Sequence, residues 1–299
     1  MMASLTESSL KQYDSALKKW WSFCSANSVD PFTSSIRDIL AGLTDAFEKG
    51  VSYSTLNCLR SAISLVVGHE IGQDPNIKRF FKGVFNKRPP RPRYDCTWDP
   101  KAVLDYLSSK ANNKTTTLKV LSMKLISLLA LVTGHRLQTF ALLDIRNIRE
   151  TAESIEIKVP DRIKTSGPSR KQPCLVLPFY TEDKEICVAS TLKSYLERIK
   201  DIRGSTNSLF ISFKKPFKAV TSQTLSRWIK EILSKSGINT EIFTAYSTRH
   251  AATSAARRHG VDLDIIRKTA GWTSNSKTFA KFYNRDIAKA SDVFARAIY

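Results

Sequence analysis

Residues 86–100, NKRPPRPRYDCTWDP, constrain the fold of this chain more than any other stretch. Pro89, Pro90, Pro92 and Pro100 each remove a backbone N–H and fix φ, so no helix or central strand runs through the segment. The core built before it must close without the core built after it. A chain of 299 residues with 42% hydrophobic residues can supply both. The expected division is a helical domain over 1–90, a proline-rich basic linker over 86–98 and a second domain over 96–299.

Ahead of the linker, residues 7–28 place Leu10, Tyr13, Leu17, Trp20, Trp21 and Cys24 at helical spacing. Ser34 is read as the cap of a second helix through Ile36, Ile39, Leu43 and Phe47, stopped by Gly50. Ser54 opens a third, with Leu56, Leu59, Ile63 and Val67 on one face. A fourth begins near Pro75 and carries Ile77, Phe80, Phe81, Val84 and Phe85. This predicts a bundle of four or five helices whose aromatics fill the core. Lys78, Arg79 and Lys82 fall on the other face of the fourth helix. They fit a DNA-facing surface and equally the solvated face of a basic helix. Lys87, Arg88, Arg91 and Arg93 make the linker a strap able to cross a duplex and neutralise phosphates. A nuclear localisation signal and a plain hinge are the competing readings.

After the linker, helices are predicted over 99–109 and, strongly apolar, over 117–132, the latter stopped by Thr133-Gly134. SIEIKVP (154–160) alternates as a half-buried strand, CLVLPF (174–179) reads as its partner, and Lys164 lies in the basic turn between them. Further helices are expected over 184–199, 222–235, 247–259, 262–270 and 278–284, with a tail over 287–297. The fold class is mainly α: a helical N-terminal domain and an α-rich second domain with a small β-hairpin.

Lys plus Arg number 47 against 27 Asp plus Glu, a net charge of +20. Such an excess favours a polyanion. A membrane partner is not expected, because the longest apolar run, Leu125 to Val132, is too short to span. The opening MMASLTESSLKQYD has no apolar leader core, so the expectation is an intracellular protein, nuclear in a eukaryote and otherwise cytoplasmic with DNA. Cys24, Cys58, Cys96, Cys174 and Cys187 are scattered and odd in number, with no metal-knuckle spacing. Reduced thiols, no metal and no cofactor are expected.

The run TGHRLQTFALLDI (133–145) resembles the first conserved box of the tyrosine recombinases of the phage-integrase type, with Arg136 as its arginine. YSTRHAATSAARRHGV (246–261) resembles the second box, with Arg249 as its arginine. AGW places Trp272 at the position that the family fills with His or Trp, and FYNR supplies Tyr283 as the nucleophile. Lys164 lies between the first two boxes, as the family's lysine does. The layout of a helical domain, a basic linker and these boxes is similar throughout, and the flavour of STR, GW and KFY is closer to recombinases of eukaryotic mobile elements. The resemblance implies a core-binding domain and a catalytic domain that clamp double-stranded DNA, a homo-tetramer on DNA, and strand exchange through a Holliday junction.

It also implies roles that chemistry makes intelligible. Two guanidiniums, Arg136 and Arg249, neutralise a phosphodiester and the charge that grows in its transition state. The Trp272 indole donates one more hydrogen bond. Tyr283, a phenol with an ordinary pKa of about 10, attacks only in such a pocket. Lys164 protonates the leaving hydroxyl. The second box departs from the family where its leading His is Tyr246, which can donate a hydrogen bond but cannot act as an imidazole base. His250 is read as a packing residue. A recombinase-fold protein that binds DNA without turnover, and a type IB topoisomerase-like relaxation activity, are the alternative readings. Val293, Phe294 and Ile298 sit at near-helical spacing; that segment docks either into a neighbouring protomer or onto its own domain.

Overall fold

The structure, a computed structural model, describes residues 5–110, 112–164, 166–167 and 171–272. Its division into two compact units falls between Pro92 and Arg93, inside the proline-rich stretch. In the first unit, α1 (Glu7–Ala26), α2 (Ile36–Glu48), α3 (Tyr53–Val66) and α4 (Pro75–Lys87) close around one core. Trp20, Leu43, Leu56, Ile63, Ile77 and Phe81 are buried in it, while Trp21 and Phe85 stay about half exposed at 57% and 49%.

Two helix starts differ from the sequence reading. Ser35, not Ser34, caps α2, because its hydroxyl and the Asp38 carboxylate form a reciprocal capping box; Ser34 instead donates to the Asp30 carbonyl. Ser52, not Ser54, caps α3 by accepting the Thr55 N–H. Both capping serines have extended backbones, φ −71° and ψ 163° at Ser35 and φ −68° and ψ 156° at Ser52. Asp74 caps α4, with Pro75 in the first turn where no N–H is needed.

The second unit contains α5 (Pro100–Ser108), α6 (Leu118–Thr133), α7 (Leu137–Ala141), β1 (Ile148–Glu150), β2 (Ser154–Lys158) and β3 (Cys174–Pro178). It continues with α8 (Val188–Ile199), α9 (Ser222–Lys235), α10 (Ser247–Arg258) and α11 (Leu263–Thr269). Helix α6 is central: α5, α8, α9, α10 and β3 all lie against it, and every residue from Leu121 to Ala130 is buried. A helix with almost no polar face has no other stable place. The exception is Lys124, whose buried ammonium reaches Glu185 at 3.3 Å and whose pKa is pushed down by burial.

The strands form one antiparallel sheet in the order β1-β2-β3. Ile155 and Ile157 of β2 and Leu175 and Leu177 of β3 point into the core, and Val176 faces out. Strand β1 was not expected, since three residues are too short to show alternation. Strand β2 ends at Lys158 rather than Pro160, which has no N–H to continue a ladder. Helix α8 starts at Val188, not near Lys184. The Asp183 carboxylate accepts the Glu185 N–H at 2.9 Å and the Ser108 hydroxyl at 2.8 Å, which holds that segment as a turn.

Helix α6 ends at Gly134, in the left-handed region with φ +60°, its N–H on the Ala130 carbonyl at 3.1 Å. A Cβ there would lie 3.2 Å from that of Ala270, so the position is crowded as well as left-handed. Gly134→Ala should destabilise the protein by about 2–3 kcal/mol, combining backbone strain with overpacking. Gly50, with φ +86° and open space around it, should lose only about 1 kcal/mol as Gly50→Ala. Urea unfolding of the two variants checks the difference; equal losses would show that the crowding at Ala270 is relieved at no cost.

Candidate active site

Three chain segments meet at the end of α6, two of them from the consecutive helices α10 and α11. The first is the turn Gly134-His135-Arg136. The left-handed glycine swings the chain out of α6, and Arg136, with φ −79° and ψ 148°, is the extended residue at the head of the five-residue α7. The second is the first turn of α10. Trp98 Nε1 donates to Ser247 Oγ at 2.8 Å, and Ser247 Oγ donates to the Thr244 carbonyl at 2.7 Å, which anchors that turn. The third is the end of α11. Asp262 caps this helix, Gly271 at φ +69° reverses the chain, and the Trp272 N–H returns to the Arg267 carbonyl at 2.8 Å.

Arg249 ties the three together. It is 2% exposed; its Nη1 donates to the Gly134 carbonyl, 115 residues away in sequence, and its Cζ lies 3.5 Å from the centroid of the Trp272 ring. A desolvated guanidinium on an indole face is worth about 2 kcal/mol. Trp272 therefore supports Arg249 through its ring face, a contact that its reading as an N–H donor did not include. Arg136 is half-buried.

His135, which sequence reasoning passed over as the variable residue of the first box, is buried within electrostatic reach of both arginines. Burial first, then the charges of Arg249 and of Arg136, push its pKa from 6.5 down to about 4, against a hydrogen bond to the Thr269 main chain that raises it. The imidazole is thus neutral at pH 7 and adds no third positive charge. The unfolded chain binds a proton near 6.5 and the folded chain only near 4. This contribution to stability is therefore complete above pH 6.5 and is lost as pH falls toward 4. At about 1.4 kcal/mol per unit the loss is on the order of 3 kcal/mol. Urea midpoints at about pH 7 and about pH 4.5 should fall further apart in the wild type than in His135→Gln; identical drops would show that His135 does not contribute.

Tyr246 precedes α10 and is 49% exposed, its ring 5.6 Å from that of His250, which is buried and also lies 5.5 Å from Tyr94. Lys164 is exposed in the β2–β3 connection. Tyr283 and the C-terminal apolar segment lie outside the described residues. In the first unit Lys78, Arg79 and Lys82 are exposed on α4, opposite buried Ile77, Phe81 and Val84. Lys87 and Arg91 are exposed as well. Arg88 donates to the carbonyls of Phe47 and Val51, both at 3.2 Å, and lies over the Phe47 ring. Arg93 donates to the Glu241 carbonyl. These two basic residues are engaged by their own domains, a use that composition does not reveal. No described helix is long and apolar enough to cross a membrane.

A mainly helical chain with a small three-stranded antiparallel sheet and this convergence of boxes has the fold of the tyrosine recombinases. It is similar to the XerH site-specific recombinase in its post-cleavage complex with a palindromic difH substrate, at TM-score 0.62 and 15% identity over 95% of this chain and 78% of that one. It is also similar to lambda integrase (75–356) as a dimer on a COC' core site, at 0.58 and 16% over 95% and 91%. A third likeness is to the Tn1549 transposon integrase with transposon right end DNA, at 0.54 and 15% over 88% and 85%. No curated protein matches the chain in sequence. Residues 102–289 match the phage integrase family, and the chain belongs to it.

Proposed function

We propose that this protein is a site-specific DNA recombinase or integrase that breaks and rejoins strands through a covalent 3'-phosphotyrosyl intermediate. The observation that carries this reading is the junction of Arg249, Trp272 and the Gly134-His135-Arg136 turn, which brings two of the family's boxes and its indole position into contact within the stretch matched to the phage integrase family. In the reaction, the Tyr283 oxygen attacks the phosphorus of a bound phosphodiester and the phenolic proton passes to solvent. The bond from phosphorus to the 5'-oxygen breaks, and Lys164 gives that oxygen a proton. Arg136 and Arg249 neutralise the nonbridging oxygens, and Tyr246 donates a hydrogen bond to one of them. The phosphotyrosyl bond conserves the energy for religation by a second 5'-hydroxyl, so no high-energy cofactor is consumed.

Residues 1–90 would serve as the DNA-clamping domain, with Lys78, Arg79, Lys82, Lys87 and Arg91 on phosphates, and 96–299 as the catalytic domain. Lambda integrase is known as a tetramer bound to a Holliday junction; a homo-tetramer on DNA is the assembly that pairwise strand exchange requires, and the protein would act wherever its DNA is held. The test is incubation of the full chain with nicked suicide duplexes selected from random DNA for binding. A protein–DNA adduct that survives denaturation supports the reading; stable binding with no adduct on any bound duplex overturns it. The second reading, a recombinase fold that binds DNA without turnover, is favoured by one observation, the phenol of Tyr246 where the family has an imidazole.

A further inference from the structure

His135 is a side chain through which the turn after α6 touches the end of α11. Its ring lies against the Gly271 main chain: a Cβ added at Gly271 would stand 3.0 Å from His135 Cε1 and 3.4 Å from Nδ1. The ring also bonds the main chain of Thr269. The His135 backbone N–H donates to Thr133 Oγ1 at 3.4 Å, which holds the residue at the end of α6. The imidazole thus seats the end of α11 on the end of α6. Gly271 precedes Trp272 directly, and Trp272 lies on Arg249. Arg249 in turn holds the carbonyl of Gly134, the residue before His135. The contacts form a closed ring, 134–135–271–272–249–134, in which His135 is the spacer.

We propose that His135 is a positioning residue: through Thr269 and Gly271 it sets where the Trp272 indole meets Arg249, and so where that guanidinium points. The proposal rests on the recombinase reading for its consequence in rate, but the placement itself does not need it. A flat side chain that donates a hydrogen bond to Thr269 fills this role; a bulky charged one does not, because it would add a third cation beside Arg136 and Arg249.

The test uses the full chain with His135→Leu, which retains apolar bulk without the hydrogen bond, and His135→Gln, which restores a planar donor. In single-turnover cleavage of a suicide duplex, His135→Leu should slow adduct formation on the order of tenfold to a hundredfold, with the Kd for DNA unchanged. His135→Gln should recover most of that loss. Wild-type rates in His135→Leu overturn the proposal. So do equal losses in both variants that follow the folded fraction, since these mark a purely structural role. A second readout is independent of chemistry: 19F NMR of the protein labelled with 5-fluorotryptophan, with the Trp272 resonance assigned by Trp272→Phe. That resonance should move in His135→Leu and return in His135→Gln. If it does not move, the proposal fails whether or not the protein cleaves DNA. If it moves while the wild type forms no adduct, the recombinase reading fails and the positioning role stands.

Discussion

Replacing Tyr283 by phenylalanine should abolish the covalent protein–DNA adduct while leaving DNA binding intact. The substitution removes one oxygen and keeps the ring, so packing and net charge are conserved. If that oxygen is the nucleophile, no other group can form the phosphotyrosyl ester, and the loss exceeds about 10³-fold. Tyr283 lies within the stretch matched to the phage integrase family, in the run KFYNR. The decisive measurement is a denaturing gel of suicide-substrate reactions with matched Kd values. Adduct at wild-type yield in Tyr283→Phe would move the nucleophile elsewhere, with the remaining tyrosines as candidates. Loss of adduct together with loss of binding would say that the ring, not the oxygen, matters.

Arg249→Ala should combine a kinetic and a structural loss. A donor aimed at charge developing in the transition state is worth about 10²–10³ in rate. The same residue is buried, holds the Gly134 carbonyl and lies under Trp272, so its truncation leaves a cavity and an unmet carbonyl. Stability should fall by about 2–4 kcal/mol. Arg249→Lys separates the contributions. It keeps the positive charge but loses the planar fork and the face-on stack, and should recover stability only in part and rate hardly at all. Single-turnover rates, Kd values and urea midpoints for both variants give the answer. Full recovery by lysine would show that a point charge suffices and that stacking on Trp272 has no role in catalysis.

The helices were legible because their causes are local. Apolar spacing, the proline at the head of the fourth helix and the glycine after Thr133 each fix a few consecutive dihedral angles. The caps were read as Ser34 and Ser54, where the structure uses Ser35 and Ser52, because neighbouring hydroxyls are alike in sequence and only the folded turn decides which one meets the first-turn N–H groups. Strand β1 was hidden for a similar reason: a three-residue strand is defined by the neighbour that completes it, not by its own pattern. Of the candidate site, Arg136, Arg249, Trp272, Lys164, Tyr246 and Tyr283 were named through the resemblance of their runs to the boxes of the phage-integrase family.

The sequence by itself determined which residue types are available and which short elements carry them: a helical bundle, a proline break, an apolar helix ending in glycine, and boxes of arginine, indole and phenol in a set order. Only the tertiary structure decided that Arg249 lies buried beneath Trp272 and holds Gly134, that a neutral His135 is buried against Gly271, and that Arg88 and Arg93 serve their own domains. Spacing acts along the chain, through torsion angles a few residues apart. Contacts between residues more than a hundred positions apart depend on how α6, α10 and α11 come together, and that is settled by the shapes and volumes of the side chains they bury.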